Sequence, residues 1–213
     1  MSNELLIEGL ERLGLPAGSA VAERLGTYID EIEIFNPAYH LISFDRREDL
    51  IIRHILDCAA GALIIRDSLG PDGVVADFGS GAGLPGIVLA VLLDDVRFVL
   101  VERMKRRCDF LANAVNLCNL SNVKVLNKDI REIDESYGLV TFRAFRPLGE
   151  IMGAVDRLLA RKGKVCAYKG IEENALGELA ALDSWTGCYH QLHVPFLDAS
   201  RGMLVLERKG DLS

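Results

Sequence analysis

The sequence predicts an α/β fold, with a mostly parallel seven-stranded sheet, helices on both faces of the sheet and a small helical cap at the N-terminus. From residue 74 onward, short apolar runs alternate with segments of helical periodicity, which is the pattern of βαβ units. A glycine-rich turn, Gly79-Ser-Gly-Ala-Gly83, joins the first apolar run to a helix. We therefore expect residues 1–60 to form the cap and residues 61–213 to form the α/β domain.

Composition restricts the class of protein. Of the 213 residues, 50% are hydrophobic and 26% are charged, as in ordinary globular proteins. No apolar run approaches the roughly 20 residues that span a bilayer, and the acidic N-terminus lacks the basic segment of a secretory signal. The five cysteines lack the spacing of a metal site, so reduced thiols in the cytoplasm, without a bound metal, are expected.

The net charge of −7 conceals an uneven distribution. Residues 1–100 contain 7 basic and 16 acidic side chains, whereas residues 101–169 contain 14 basic and 8 acidic ones. A local basic surface can bind phosphates on a protein that is acidic overall. Solvated helix faces explain the same distribution, and charge alone favours that explanation.

Three helices are predicted before the sheet. Apolar residues at helical spacing indicate helices over residues 3–13 and 19–35, the second ending before Asn36-Pro37. A third helix is expected over residues 45–58, where Asp45 and Glu48 form a capping-box pattern. His54 falls on its apolar face, a position more typical of a core histidine than of a catalytic one.

The glycine-rich turn is the first candidate binding site. It follows Asp77, and the helix after it is expected from Leu84 to Leu93, with Pro85 in the first turn. Glycine tolerates φ > 0 and permits close approach of a ligand, while free amides at a helix start favour an anionic group. A tight turn without a ligand is the alternative, and three glycines at alternate positions argue against it.

Two ligands fit this turn. The stretch Gly81-Ala-Gly-Leu-Pro-Gly86 matches the dinucleotide pattern G-x-G-x-x-G. Three details favour S-adenosylmethionine instead: Asp77 is placed to help hold a cationic methionyl end, Gly79 extends the repeat, and Pro85 removes an amide that a pyrophosphate would use. Glu102, at the end of the next apolar run, can accept both ribose hydroxyls of either ligand.

The remainder of the chain continues the alternation. Helices are expected over residues 104–117, 148–159 and 172–182, and strands over residues 97–101, 123–126, 139–142, 163–168, 189–194 and 203–208. The last two strands suggest an antiparallel hairpin at one sheet edge. Because ligands bind beyond the carboxyl ends of parallel strands, functional residues are expected at 77–83, 102, 129–131, 143–146 and 169.

Four segments are together more specific than the glycine-rich turn alone. They are Arg53-His-Ile-Leu-Asp57, Asp77-Phe-Gly-Ser-Gly-Ala-Gly-Leu-Pro-Gly86, Arg143-Ala-Phe145 and Tyr168-Lys-Gly170. In order and spacing they resemble the glucose-inhibited division protein B family, over roughly residues 20–208. The resemblance implies a class I, Rossmann-like methyltransferase fold and S-adenosylmethionine as methyl donor. It also implies a cytoplasmic enzyme that methylates N7 of a guanosine in bacterial 16S ribosomal RNA, within the small ribosomal subunit. We further expect a monomer.

The resemblance also indicates site residues. With the loop glycines and the acid after the second strand, the candidate cofactor contacts are Gly79, Gly81, Gly83, Leu84, Glu102, Ile130, Arg131 and Arg143. Arg143 is also the candidate catalytic residue, and Arg146 and Lys169 are candidates for binding RNA.

Two departures from the family pattern affect these assignments. Asp129-Ile-Arg131 carries the family's charges in exchanged order, so Asp129 is an alternative to Arg131 as a cofactor contact. The family's Asn-Leu-Thr is His40-Leu-Ile42 here, which puts a polar contact from that loop in doubt.

The expected chemistry needs no general base, because guanine N7 carries a lone pair and no proton. Positioning of aligned reactants can supply about 7 to 11 kcal/mol. A bidentate arginine on O6 and N7 would block the reacting atom, so Arg143 is expected to act from the edge of the base or on the cofactor. A structural Arg143 paired with Asp77 or Glu102 is the alternative. The rival functions are an NAD(P)-dependent small-molecule oxidoreductase, a methyltransferase with another acceptor and a non-catalytic RNA-binding module.

Overall fold

A seven-stranded sheet forms the centre of the protein. The computed structural model describes residues 2–70, 73–144 and 146–211. The strands are β1 (Val74–Phe78), β2 (Arg97–Glu102), β3 (Val123–Asn127), β4 (Tyr137–Arg143), β5 (Leu159–Lys169), β6 (Trp185–Gln191) and β7 (Gly202–Arg208). Their order is β3-β2-β1-β4-β5-β7-β6. The first five strands run parallel, and β7 is antiparallel to both β5 and β6. This confirms the mostly parallel sheet and the antiparallel pair at one edge.

Helices cover both faces of the sheet. The α-helices are α1 (Ser2–Arg12), α2 (Ser19–Tyr39), α3 (Arg47–Leu50), α4 (Asp57–Ala59), α5 (Ala62–Asp67), α6 (Gly86–Leu92), α7 (Lys105–Leu117), α8 (Leu148–Leu158) and α9 (Glu172–Ala180). A π-helical stretch, Ile51–Leu56, connects α3 to α4, and 3₁₀ turns occur at Ile130–Glu132 and Lys209–Asp211. Two hydrophobic cores result, one beneath α1, α2, α6 and α7 and the other beneath α8.

Strand residues alternate between these two cores. In β2, Phe98 and Leu100 contribute to the core beneath α6 and α7, whereas Val99 and Val101 contribute to the core beneath α8. This alternation follows from the two-residue period of a strand. Since both faces are covered, the central strands β1 and β2 are apolar runs whose charged residues lie at or near the strand ends.

The N-terminal helices pack on the α/β part of the chain. Tyr28 of α2 is fully buried, and its hydroxyl donates to Ala82 O of the glycine-rich turn at 2.7 Å. Asn113 Nδ2 of α7 donates to Glu31 Oε2 of α2 at 2.6 Å. Leu6, Leu25 and other residues of α1 and α2 share one core with α6 and α7. The cap therefore supports the turn directly, while its boundary at residue 60 stays a prediction.

Two predicted helix ends were wrong. Helix α2 continues through Pro37 to Tyr39, because a proline in the last turn removes only one amide donor. Asn36 Oδ1 then accepts from Leu41 N at 2.9 Å and from Ile42 N at 3.1 Å, which fixes the exit of the chain.

The start of the next helix also differs, and the capping box at Asp45 and Glu48 is absent. The helix begins at Arg47 with Arg46 as its N-cap. Arg47 forms ion pairs with Asp30 and Glu33 of α2, so a tertiary contact determines where this helix begins.

None of the helices in the described ranges combines the length and the apolar character that a membrane span requires.

Gly86 offers a direct test of how β1, β2 and α6 fit together. A Cβ atom there would lie 2.7 Å from Asp77 Oδ2 and would clash with Leu100 Cδ2. We expect Gly86→Ala to lower the free energy of unfolding by about 1 to 3 kcal/mol, as overpacking does. Gly177→Ala in α9 is the control, since its Cβ would meet nothing within 4 Å, and helix propensity predicts a gain of about 0.5 to 1 kcal/mol. Urea denaturation measures both, and equal stability of the two variants would contradict the packing.

Candidate active site

Two adjoining cavities open at the carboxyl end of the parallel strands. The glycine-loop cavity, of about 440 Å³, is lined by Gly79, Val101, Glu102, Arg103, Met104, Arg107, Lys128, Asp129, Ile130, Arg131, Ala144, Arg146, Glu150, Ile151 and Ala154. The arginine cavity, of about 750 Å³, is lined by Ser43, Arg53, His54, Asp57, Phe142, Arg143, Ala144, Arg146, Pro147, Tyr168, Lys169, Gly170, Glu178 and Arg201. Ala144 and Arg146, which follow β4, belong to both cavities.

The glycine-rich turn has the backbone that its glycines predict. The φ angles of Gly79, Gly81 and Gly83 are 72°, 57° and 93°, all in the region that favours glycine. Gly79 N and Ser80 N donate to Val101 O at 2.9 and 3.1 Å, which ties the turn to β2. A Cβ atom at Gly83 would lie 2.6 Å from Ile87 Cδ1. A side chain at Gly83 would therefore force Ile87 to shift, in addition to straining the dihedral angle.

Glu102 connects the turn to the end of β2. Its carboxylate is almost buried, and it accepts from Gly81 N at 3.1 Å through Oε2 and from Met104 N at 2.8 Å through Oε1. Arg107 Nη1 lies 3.9 Å from Oε2. A carboxylate has about four acceptor positions, so Glu102, which lines the glycine-loop cavity, can accept further hydrogen bonds.

Asp77 lies beneath the turn and faces neither cavity. It is fully buried, its Oδ2 accepts from Gly86 N at 3.0 Å, and its Oδ1 has no hydrogen-bond partner among the described residues. Burial raises the pKa of Asp77 to about 7, although the hydrogen bond from Gly86 opposes this rise. The sequence suggested a contact with a cationic ligand, whereas the structure gives Asp77 the role of joining β1 to the start of α6.

Leu84 is also buried below the turn, at 5% exposure, and is absent from the lining of both cavities. Ile130 and Arg131 do line the glycine-loop cavity. Asp129 and Arg131 form a two-bond ion pair, with Nε to Oδ1 at 2.8 Å and Nη2 to Oδ2 at 2.9 Å. The hydrogen bonds from Arg131 lower the pKa of Asp129 below its usual range. Asp129 and Arg131, whose charges stand in exchanged order relative to the family pattern, thus form an ion pair with each other at the cavity rim.

Arg143, at the end of β4, belongs to the arginine cavity. Its Nη1 donates to Asp57 Oδ2 at 2.9 Å, and its Nη2 lies 3.0 Å from His54 Nδ1. The side chain is 16% exposed, and Nε is buried without a hydrogen-bond partner among the described residues. The carboxylate that pairs with Arg143 is therefore Asp57, neither Asp77 nor Glu102. Phe145, which completes the Arg143-Ala-Phe145 segment, lies outside the described residues.

His54 lies in the π-helical stretch and lines the arginine cavity. A π-turn contains more residues than an α-turn, so it displaces side chains from the 3.6-residue period, and such stretches are frequent at functional sites. Ile51, Ile55 and Leu56 stay buried, while His54 and Asp57 line the arginine cavity. The sequence favoured a core histidine over a catalytic one; His54 is half-buried, has a partner at each ring nitrogen and lines the arginine cavity.

The candidate RNA-binding residues lie at the arginine cavity. Lys169 Nζ contacts Glu178 Oε1 at 2.7 Å and Oε2 at 2.8 Å, and Glu178 also accepts from Leu148 N at 2.8 Å. Arg146 is half exposed, 3.4 Å from Glu150 Oε2, and lines both cavities.

Sequence reasoning missed Glu178 and Arg201, whose Nε lies 3.1 Å from Asp57 Oδ1. No motif or spacing marks either residue. Each reaches the cavity from an element whose position depends on the folded sheet.

Comparison with known proteins identifies the family. Residues 21–203 match the family described as rRNA small subunit methyltransferase G. The chain belongs to this family. A ribosomal RNA small subunit methyltransferase G of Borrelia hermsii is 35% identical over 176 residues, covering 82% of this chain and 84% of that protein. The protein of the same name from Neisseria meningitidis is 31% identical over 209 residues, covering 97% and 98%. The resemblance seen in the sequence is thereby confirmed.

Solved structures support the fold. The B. subtilis M1A22 tRNA methyltransferase TrmK has a TM-score of 0.56 and 16% identity, covering 71% of this chain and 65% of that chain. A ribosomal protein L11 methylase from Lactobacillus delbrueckii has a TM-score of 0.55 and 13% identity, covering 79% and 82%. At such identities the likeness concerns the fold alone, which is the predicted class I, Rossmann-like methyltransferase fold.

The methyltransferase G family uses S-adenosylmethionine, and the glycine-loop cavity fits that cofactor. Gly79 leaves the floor of the cavity without a side chain, and Glu102 presents acceptors at its wall. Met104 and Ile130 supply apolar surface suited to the faces of a purine ring.

The raised pKa of Asp77 predicts an unusual dependence of the free energy of unfolding on pH. Between about pH 4 and pH 7 the folded carboxyl keeps a proton that the unfolded chain has released, so this group lowers the free energy of unfolding as pH rises. Asp77→Asn cannot titrate and keeps an acceptor for Gly86 N. Its stability relative to wild type should therefore increase across that window and stay constant above it, by on the order of a few kcal/mol.

Chemical denaturation at a series of pH values measures this difference. Gly177→Ala, which changes no titratable group, is the control and should show a difference that does not vary with pH. A constant difference for Asp77→Asn would contradict the raised pKa.

Proposed function

We propose that this methyltransferase transfers a methyl group from S-adenosylmethionine to N7 of a guanosine in 16S ribosomal RNA. One observation carries the proposal: a cavity suited to a nucleoside cofactor and a larger cationic cavity meet at Ala144 and Arg146. A donor and an acceptor bound on either side of this junction would be adjacent. We further propose that the substrate is presented in the small ribosomal subunit and that the enzyme acts as a cytoplasmic monomer.

The glycine-loop cavity is the proposed cofactor site. Glu102 accepts from the ribose, and Gly79, Ile130 and Arg131 contribute the surrounding surface. Gly81, Gly83 and Leu84 act indirectly, because they set the course of the turn and not the cavity wall.

The dinucleotide alternative is less compatible with this geometry. The amides at the start of α6 are already used, since Gly86 N donates to Asp77 and Ile87 N donates to Gly83 O at 2.8 Å. A pyrophosphate would find few free donors there.

The arginine cavity is the proposed acceptor site. Five cationic side chains and two carboxylates line it: Arg53, Arg143, Arg146, Lys169, Arg201, Asp57 and Glu178. The excess of positive charge suits a nucleotide with its flanking phosphates. A volume of about 750 Å³ accommodates a base extruded from its stack, which is how enzymes gain access to base atoms in folded nucleic acids.

The reaction requires orientation more than acid–base chemistry. S-adenosylmethionine supplies an electrophilic sulfonium methyl group. The N7 lone pair can attack this group without prior loss of a proton. Arg143 cannot reorient freely, since Asp57 and His54 bind two of its nitrogens. It therefore presents a fixed positive charge beside the acceptor, and we assign it to orienting the base from its edge. Lys169 and Arg146 hold the neighbouring phosphates.

Arg143→Ala should abolish most methyl transfer, because alignment of the base is lost. We expect kcat/KM to fall by about 100-fold or more. Transfer of labelled methyl from S-adenosylmethionine to small subunits that lack the modification, with the labelled base mapped, measures this. Protein-free 16S RNA alongside shows whether assembled structure is needed.

Arg161→Ala is the matched control, as an exposed arginine near the opposite end of β5. It should retain wild-type activity. Full activity of Arg143→Ala would remove Arg143 from the site, and label on another base or position would overturn the proposed acceptor.

Glu102→Gln tests the cofactor site separately. The substitution preserves size but removes the charge that strengthens hydrogen bonds from ribose hydroxyls, so the Kd for S-adenosylmethionine should rise about 10- to 100-fold. Isothermal titration calorimetry measures this without RNA. The exposed Glu173→Gln in α9 should bind as wild type does. Unchanged affinity of Glu102→Gln would exclude the proposed ribose contact.

A further inference from the structure

His54 has both ring nitrogens engaged by groups of fixed character. Nδ1 lies 3.0 Å from Arg143 Nη2, and Nε2 lies 3.1 Å from Ser43 O. A guanidinium can only donate a hydrogen bond and a carbonyl oxygen can only accept one. Nδ1 must therefore be the acceptor and Nε2 must carry the proton. The two contacts together select one neutral tautomer of the imidazole.

The charged groups around His54 favour this neutral form. Arg143 faces it from β4, Arg201 faces it from the start of β7, and Asp57 faces it from the following helical turn. Lys169 and Glu178, from β5 and α9, line the same cavity as an ion pair. Burial and the neighbouring Arg143 lower the pKa of His54 from its usual value, and the carboxylate of Asp57 opposes them.

We propose that His54 is a positioning residue for Arg143, and that methyl transfer requires His54 to be neutral. The inference rests on the proposed role of Arg143 in the acceptor site. Neutral His54 accepts a hydrogen bond from Nη2 of Arg143 and Asp57 accepts one from Nη1, so two contacts from one helical segment hold the guanidinium. A protonated imidazole has no acceptor at Nδ1 and would place an N–H and a positive charge against Nη2. Protonation therefore releases Arg143 from its catalytic orientation.

If His54 must be neutral, the rate of methyl transfer should fall at low pH as this histidine becomes protonated. We call this fall the acid limb of the pH profile. Guanine N7 needs no base, so the reaction itself supplies no such limb near neutral pH. The midpoint should lie below 6.5, the ordinary value for a histidine. Asp77, with a pKa of about 7, titrates beneath the glycine-rich turn and has no contact with His54. Substituting His54 therefore distinguishes the effect of its titration on the rate from the effect of Asp77.

The first experiment compares single-turnover pH profiles of three variants with wild type. His54→Ala should lower the rate about 10- to 100-fold at pH 8, as expected for loss of a hydrogen bond to a charged group. His54→Asn places a non-titrating oxygen close to the position of Nδ1. It should recover part of the lost rate and lack the histidine limb. The exposed His190→Asn in β6 should reproduce the wild-type profile.

Two kinetic results would overturn the proposal. One is a wild-type rate for His54→Ala at pH 8, and the other is an unchanged acid limb for His54→Asn. A merely structural role of His54 would lower the rate at all pH values without removing the limb.

The second experiment needs no RNA and stands if the proposed acceptor proves wrong. Nitrogen-15 NMR of histidine-labelled protein should show the Nε2–H tautomer for His54. The His54 signal is assigned as the one that is missing in His54→Asn. Arg143→Gln should raise the pKa of His54, because it removes the nearest positive charge. An Nδ1–H tautomer, or a pKa indifferent to Arg143, would refute the pairing. If NMR shows the Nε2–H tautomer and the dependence on Arg143, but no RNA is methylated, the proposed function is overturned instead.

Discussion

Two carboxylates at the ends of adjacent parallel strands hold the glycine-rich turn in place. Asp77 accepts the amide of Gly86, and Glu102 accepts the amides of Gly81 and Met104. The turn contains little side-chain surface of its own, so these hydrogen bonds and the buried Tyr28 hydroxyl determine its course. A carboxylate as deeply buried as Asp77 carries a desolvation cost. The backbone donor of Gly86 and the proton that the carboxyl keeps up to about pH 7 offset that cost.

The arginine cavity is assembled by a different means. Its central cation, Arg143, ends a strand of the parallel sheet, whereas His54 and Asp57 come from a helical segment some 90 residues earlier. His54 lies within the π-helical stretch Ile51–Leu56 and Asp57 directly follows it, and both contact Arg143 while Ile51 and Ile55 stay in the core. The same helical segment therefore supplies core residues and one wall of a polar site.

The charge of the cavity reconciles an acidic protein with an RNA substrate. The whole chain carries −7, so long-range attraction to RNA is weak. Within the arginine cavity, five cations exceed two carboxylates, and Asp57 and Glu178 each hold a cation in position. A local excess of positive charge of this kind suits short-range contacts better than long-range attraction.

The amino-acid sequence alone predicts the fold class, the antiparallel pair at one sheet edge, the glycine-rich turn and the residues at the strand ends. These features follow from local physics, since two-residue and 3.6-residue periods and positive φ angles leave signatures in neighbouring residues. The strand order, the partners of Arg143, the burial of Asp77 below the turn and the contributions of Glu178 and Arg201 become visible only in the folded protein. These depend on contacts between residues far apart in sequence, for which spacing carries no signal. His54 shows the limit most clearly, because its contact with Arg143 joins residues that lie 89 positions apart in the sequence.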